Sequence, residues 1–358
     1  MPLRLLSDLL GATLIAITIS AAIRTFVLPR GADVWLTRWV FRGIHWVFRL
    51  RASRVHSYAE RDHVMAMFAP TALLVLPLAW VTLVLIGFTA IFWGIGVQPL
   101  YLAFRASGSS LLTLGFASLE GWGQSLLAFA EATLGLGLIA LLIAYLPAIY
   151  ASFARRETAV AMLEIRAGSP PSAITLLERA RRLDRLGQLG DLWEKWESWF
   201  TEIEESHTSL MALVFFRSPQ PDRSWVTAAG AVLDAASLTA SSVDLPRDVR
   251  ADLCIRSGYL ALRRIADVFY IQYNDEPGAD DPISITRVEF DQALERLAAA
   301  GVPLREDRDQ AWRDFRGWRV NYDTVLIALA ALTMAPYAPW VSDRSLRNSP
   351  VQTAIWSE

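Results

Sequence analysis

Glu131 is the one ionisable side chain in the apolar run 124–153. An acid at membrane depth is costly and is a functional candidate by default. Three placements suit it. It could face a central cavity and concentrate cations there. It could sit behind an adjoining turn and bond Ser109, Ser110 or Arg105. It could lie at the outer surface, close to Gln124. Just before it, residues 111–118 read LLTLGFAS, uncharged from Ala106 to Leu119 and flanked by Arg105 and Glu120. Glu120 at a mouth would attract cations. Arg105 opposes that field, so anion passage stays open as an alternative. No Ser–His–Asp or Cys–His arrangement stands out, and Gly-x-Gly-x-x-Gly is absent. The acids Glu202, Glu204 and Glu205 with His207 lack a two-histidine helical spacing and read as a solvated charged face. The expectation is a protein without catalytic, metal or cofactor sites, and nothing suggests nucleic acid.

Such residues need elements to hold them. The chain has 358 residues, 53% of them hydrophobic, and a mean hydropathy of +0.31. Three runs are long and apolar enough to span a bilayer: 5–27, 63–97 and 124–153. Pro70 and Pro77 are candidate kinks in the second, and Gly135, Gly137 and Pro147 are candidate bends in the third. Residues 1–153 carry ten Arg against six acids, a net of +4, and the remainder carries 24 basic against 30 acidic residues, a net of −6. Eight arginines, from Arg24 to Arg61, lie around the first connection, whereas only Arg105 lies in the second. Positive charge stays inside. The first connection and the carboxyl-terminal region are therefore expected in the cytoplasm, with residues 98–123 approached from outside. The Arg-rich flank follows the first run, which favours a retained anchor over a cleaved signal peptide. Cys254 is the only cysteine, so no intrachain disulfide forms.

Within the first connection, VWLTRWVFRGIHWVFRLR places Arg38, Arg42, His45 and Arg49 on one helical face. Trp39, Val40, Trp46, Val47 and Leu50 fall mainly elsewhere. The pattern predicts a helix lying at the membrane interface. It does not suit a voltage sensor, because the arginines are not spaced at every third residue.

Residues 98–123 are too short for two further spans. A short helix over 100–112 and a tight return make a re-entrant loop, and irregular backbone at membrane depth must face protein or water. The order of outer helix, short helix, TLGFA and inner helix resembles the potassium-channel superfamily pore module over about residues 63–157. The ending YASFARRE is similar to that of many bacterial inner helices. The resemblance implies that Thr113, Leu114, Gly115, Phe116 and Ala117 form a selectivity filter whose carbonyls replace ion hydration. It implies an outer mouth at Ser118 and Glu120, inner-helix gating near Gly135, Gly137 and Pro147, with Glu131 as the polar residue of that helix, and potassium as the permeant ion. One loop per chain implies a homotetramer. Ala117 stands where the family has a second glycine and Ser118 where it has an acid, so strict potassium selectivity does not carry over.

From Ala154 onward the spacing predicts helices over 158–166, 171–186, 190–215, 223–240, 246–272, 286–300 and 305–335. Trp193, Trp196 and Trp199 form a core stripe, or alternatively a partner surface. The uncharged part of 324–342 reads as a buried helix of this domain rather than a fourth span. The expected organisation is therefore an all-α membrane protein with three transmembrane helices and a re-entrant pore loop, followed by an all-α cytoplasmic domain. Its parts are 1–62 (first transmembrane helix and interfacial helix), 63–157 (pore module) and 158–358 (helical cytoplasmic domain). The expected place is the inner (plasma) membrane of a cell, multi-pass, in contact with lipid. The alternative function is a non-conducting membrane scaffold or sensor whose helical domain binds partners.

Overall fold

The computed structural model describes residues 2–26, 35–52, 54 and 58–345. The side chains of His45 and Arg49, with residues 346–358, lie outside the described set. Helices α1 (Pro2–Phe26), α2 (Trp35–Ala52), α3 (Tyr58–Ala66), α4 (Phe68–Gly94), α5 (Leu100–Leu111) and α6 (Trp122–Ala167) come first. They are followed by α7 (Ala173–Arg182), α8 (Gly190–Ser209), α9 (Trp225–Ser242), α10 (Val249–Val268), α11 (Arg287–Ala299), α12 (Arg308–Arg319), α13 (Asp323–Leu332) and α14 (Ser342–Ser345). No strand forms among the described residues. One isolated antiparallel bridge joins Val243 to Leu304.

Three helical stretches, Pro2–Phe26, Asp62–Gly94 and Trp122–Ala167, are long and apolar enough to cross a membrane. The fold is that of an all-α, multi-pass membrane protein. Two compact units divide it. One holds the described residues up to 54 and 67–151, the other 58–66 and 152–345.

In the first unit, Leu76, Trp80, Val84, Phe88 and Phe92 recur every fourth residue and form one buried face of α4. Ala22 of α1, Ala103, Ala106 and Leu111 of α5 and Leu138 of α6 complete that core. Between α1 and α4 the backbones nearly touch. A Cβ on Gly11 would lie 2.5 Å from the Gly87 carbonyl oxygen, and one on Gly87 would lie 3.0 Å from that of Gly11. The Ser7 hydroxyl donates to the Ala90 carbonyl at 2.8 Å. Small residues and a serine hydroxyl are what helix pairing in lipid uses, where burial from water supplies no drive. The rings of Phe41 and Phe48 on α2 meet Phe68 at 6.3 and 5.9 Å. Trp39, Trp46, Val47 and Leu50 remain exposed on that helix.

The helix that carries the third apolar run does not end near residue 153. It continues to Ala167, because 154–167 contains good helix formers and no Gly or Pro before Gly168, which stops it with φ +85°. Pro147 sits within it.

The second unit is built around α9, buried on every side from Trp225 to Leu238. A helix apolar all round belongs inside. Trp193, Trp196, Trp199, Phe200 and Ile203 of α8 are buried too, which places the tryptophan stripe in the core. Helix starts carry the expected caps: Ser224, Asp248 and Asp307 each accept a first-turn amide, and Thr286 and Glu289 form a capping box. The expected helix 190–215 stops at Ser209 and gives way to a 3-10 turn, Met211–Phe215. That over 305–335 splits at residues 320–322. The break lets Arg319 and Tyr322 both point inward, where they are fully buried. At 324–342 only α13, ten residues long, is helical before the turn, too short to cross a bilayer.

His207 departs from the solvated face expected of it. It is buried, accepts a bond from Arg156 on Nε2 at 3.2 Å and meets Ser206 through Nδ1 at 3.1 Å. Glu204 instead turns outward and pairs with Arg264. Burial, and then the Arg156 guanidinium, push the His207 pKa well below the usual 6.5. A histidine depressed in the folded state is neutral there while the unfolded chain takes up a proton, so its contribution is present above about pH 6.5 and lost as pH falls below it. Thermal melting of the full-length protein in detergent should therefore drop between pH 7 and 5, and His207→Gln should flatten that slope.

Candidate functional site

The connection between α5 and α6 is organised by a single residue, Ser109. Its carbonyl oxygen accepts the amides of Leu114 at 2.8 Å and Gly115 at 3.4 Å. Its hydroxyl accepts those of Phe116 at 2.9 Å and Ala117 at 3.0 Å. Thr113 is held separately, by the Ser110 carbonyl at 3.0 Å. Four consecutive amides thus converge on one side. Such convergence requires the backbone to alternate in hand, and φ is positive at Thr113 (55°) and Gly115 (69°) but not at Leu114, Phe116 or Ala117. Glycine suits this at 115, while Thr113 carries it with a Cβ present. In a trans peptide the carbonyl points opposite to the next amide. The carbonyls of Thr113, Leu114, Gly115 and Phe116 are therefore turned away from Ser109. Leu112 through Phe116 are exposed.

Successive amides of this kind form a concavity that attracts an anion. Here the Ser109 oxygens fill it, leaving the carbonyl side as the free polar surface. The carbonyl end of α5 lies beside the loop and adds negative character. Arg105 opposes it: its guanidinium is 5.3 Å from the Phe116 ring centre and 5.8 Å from that of Tyr101.

Glu131 is fully buried behind α5. Its bond comes from the Ser107 hydroxyl, not from Ser109, Ser110 or Arg105. Ser109 is taken by the loop, Ser110 turns back to the Ala106 carbonyl, and Arg105 lies over the rings. The single Ser107 proton is shared between Glu131 and the Leu85 carbonyl at 3.1 Å, so this serine and acid link α4, α5 and α6. Glu131 Oε2 has no hydrogen-bond partner among the described residues.

Gly135 works as a contact rather than as free space. A Cβ there would lie 2.3 Å from the Leu111 carbonyl oxygen, so α6 can approach the end of α5 only through this glycine. A Cβ on Gly137 would meet nothing within 4 Å among the described residues. Ser118 and Glu120 are exposed, and the Glu120 amide donates to Gln124 at 3.2 Å.

Ser107 and the loop-ordering role of Ser109 were not anticipated from sequence. The signal was a Gly-Ser-Ser run ending a short helix, since a serine there can satisfy the amides that follow. Set beside family models, curated proteins and solved structures, the chain matches none of them.

Proposed function

We propose that the chain is one subunit of a passive ion-conducting pore. Four copies would bring their 113–117 loops together around one axis. The carbonyls of Thr113, Leu114, Gly115 and Phe116 would then take the place of water around a cation, potassium being the favoured one. The observation that carries this reading is the common direction of the amides of Leu114 to Ala117, because carbonyls aligned on the opposite side are what a dehydrated cation requires. The fully buried Glu131 behind α5 supports it, as a polar tether expected where a loop must keep its shape. Ala117 carries a Cβ that a second glycine would not, and Ser118 supplies no charge, so weaker discrimination among monovalent cations follows. In this reading the chain lies in the plasma membrane of a cell, with the helical unit in the cytoplasm biasing α6 around Gly135, Gly137 and Pro147.

One observation favours a second reading. The Arg105 guanidinium beside Phe116 puts a positive charge next to the loop, which would admit anions or blunt selectivity. Reversal potentials of the purified protein in planar bilayers under a potassium chloride gradient separate the two. The cation pore reverses near the potassium potential. A reversal that follows chloride overturns it in favour of the anion reading. Absence of current at every voltage and pH favours a non-conducting scaffold.

A further inference from the structure

Segment 211–217 of the helical unit is gripped by side chains from two directions. From α6, Arg156 donates to the Leu213 carbonyl at 2.8 Å and to the Phe216 carbonyl at 2.7 Å, and the Phe153 ring meets that of Phe216 at 5.6 Å. Phe153 and Arg156 are three residues apart and so share one helical face. From α3, Asp62 accepts a bond from the Nη1 of Arg217. Arg217 also closes the end of α13, donating from Nη2 to the carbonyls of Thr333 at 2.8 Å and Met334 at 3.2 Å. Asp62 and Arg217 retain only 11% and 12% of their exposure, so solvent screens this pair little.

The chain order gives this grip its meaning. Only Met67 separates the helix of Asp62 from α4, the second apolar helix, while Arg156 lies on α6 itself. One short segment therefore touches the lead into one apolar helix and the continuation of another. Part of it is the 3-10 turn Met211–Phe215, whose hydrogen bonds are poorer than those of an α-helix and adjust more readily. Arg156 reaches one carbonyl of that turn, Leu213, and that of Phe216 just beyond it, so a rotation of α6 must either drag the turn or break both bonds. If the turn moves, Arg217 moves with it, and so does its hold on Asp62.

We infer that segment 211–217 is a coupling element, through which the helical unit biases α4 and α6 together. The inference deepens the pore reading and rests on it for its effect on conduction, but the mechanical link stands independently. Asp62→Asn tests it, because it removes the charge from the α3 side without touching the cap on α13. The full-length protein is used, with hydrogen exchange as one readout and potassium release from proteoliposomes as the other. Exchange in 58–66 and in 211–217 should rise together, by about tenfold, since the acceptor loses its charge and the bond is weakened. Release should change by about two- to thirtyfold, with an unchanged reversal potential. Arg156→Gln should shift release in the same direction. Unchanged exchange in 211–217, or unchanged release by a conducting protein, overturns the coupling. If the wild-type protein releases no ions, the pore reading falls, and the exchange result alone decides the link.

Discussion

Proteoliposomes carrying Ser109→Ala are expected to release potassium at least about tenfold more slowly than those carrying the unchanged protein, whereas Ser109→Thr should recover most of the rate. The hydroxyl of Ser109 accepts two amides, those of Phe116 and Ala117. Each such bond contributes about 1 kcal/mol net, so losing both shifts the balance between ordered and disordered loop by about thirtyfold. Alanine leaves the Leu114 and Gly115 amides on the Ser109 carbonyl, so the effect should fall on the Phe116 end of the loop. Threonine keeps the acceptor. Gly115→Asp acts on the same loop through its backbone. Its φ of +69° becomes strained with a Cβ, and a carboxylate is added to an exposed carbonyl surface. Conduction should vanish while the detergent-solubilised assembly keeps its size. Unchanged release from both variants would show that the loop is no filter.

Arg319→Met should destabilise the helical unit by about 3–5 kcal/mol, the range for removing one partner of a buried ion pair. For a unit of this length that lowers the melting temperature by about 10 °C. Arg319 is completely buried and meets three elements: Asp323 at 2.7 Å, Asp234 on α9, and the Trp340 carbonyl at 2.6 Å. Tyr322 donates to Asp234 at 2.9 Å, and Asp323 holds the amide and hydroxyl of Ser284 at 2.8 and 2.7 Å. Removing the guanidinium strands two buried carboxylates, and their unpaired charge is the main cost. Adding Asp234→Asn to Arg319→Met should therefore restore part of the lost melting temperature, as measured by circular dichroism on the full-length protein. A double variant as unstable as the sum of the two single variants would argue against a charge origin.

Neither member of the Arg319–Asp234 pair could be matched to the other from sequence, since 85 residues separate them and only the folded helices bring them together. The same holds for Arg156, which reads in the sequence as half of a basic pair at the end of an apolar run. Folding buries it against Leu213 and Phe216. By contrast, the short helix before the loop is legible, because its length and the uncharged stretch that follows are local features. Glu131 was legible as an outlier of type, an acid among apolar residues. Its partner was not, because choosing among four neighbouring polar side chains depends on how α5 is rotated against α4 and α6.

By itself, the sequence determined that this is an all-helical protein with three long apolar helices, an arginine-rich first connection and a helical region beyond Ala154. Hydropathy, charge distribution and helix-forming composition are sums over neighbouring residues and need no folded chain. Tertiary structure alone decided that the amides of Leu114 to Ala117 share Ser109, that Gly135 lies hard against the Leu111 carbonyl, and that His207 is buried beside Arg156. Each depends on the direction of a single bond or the separation of two backbones, quantities set by packing between distant segments. The LLTLGFAS stretch shows both levels at once. Its lack of charge and its glycine mark a turn between apolar helices, and the alternating hand of its backbone, visible only in three dimensions, turns its carbonyls away from Ser109.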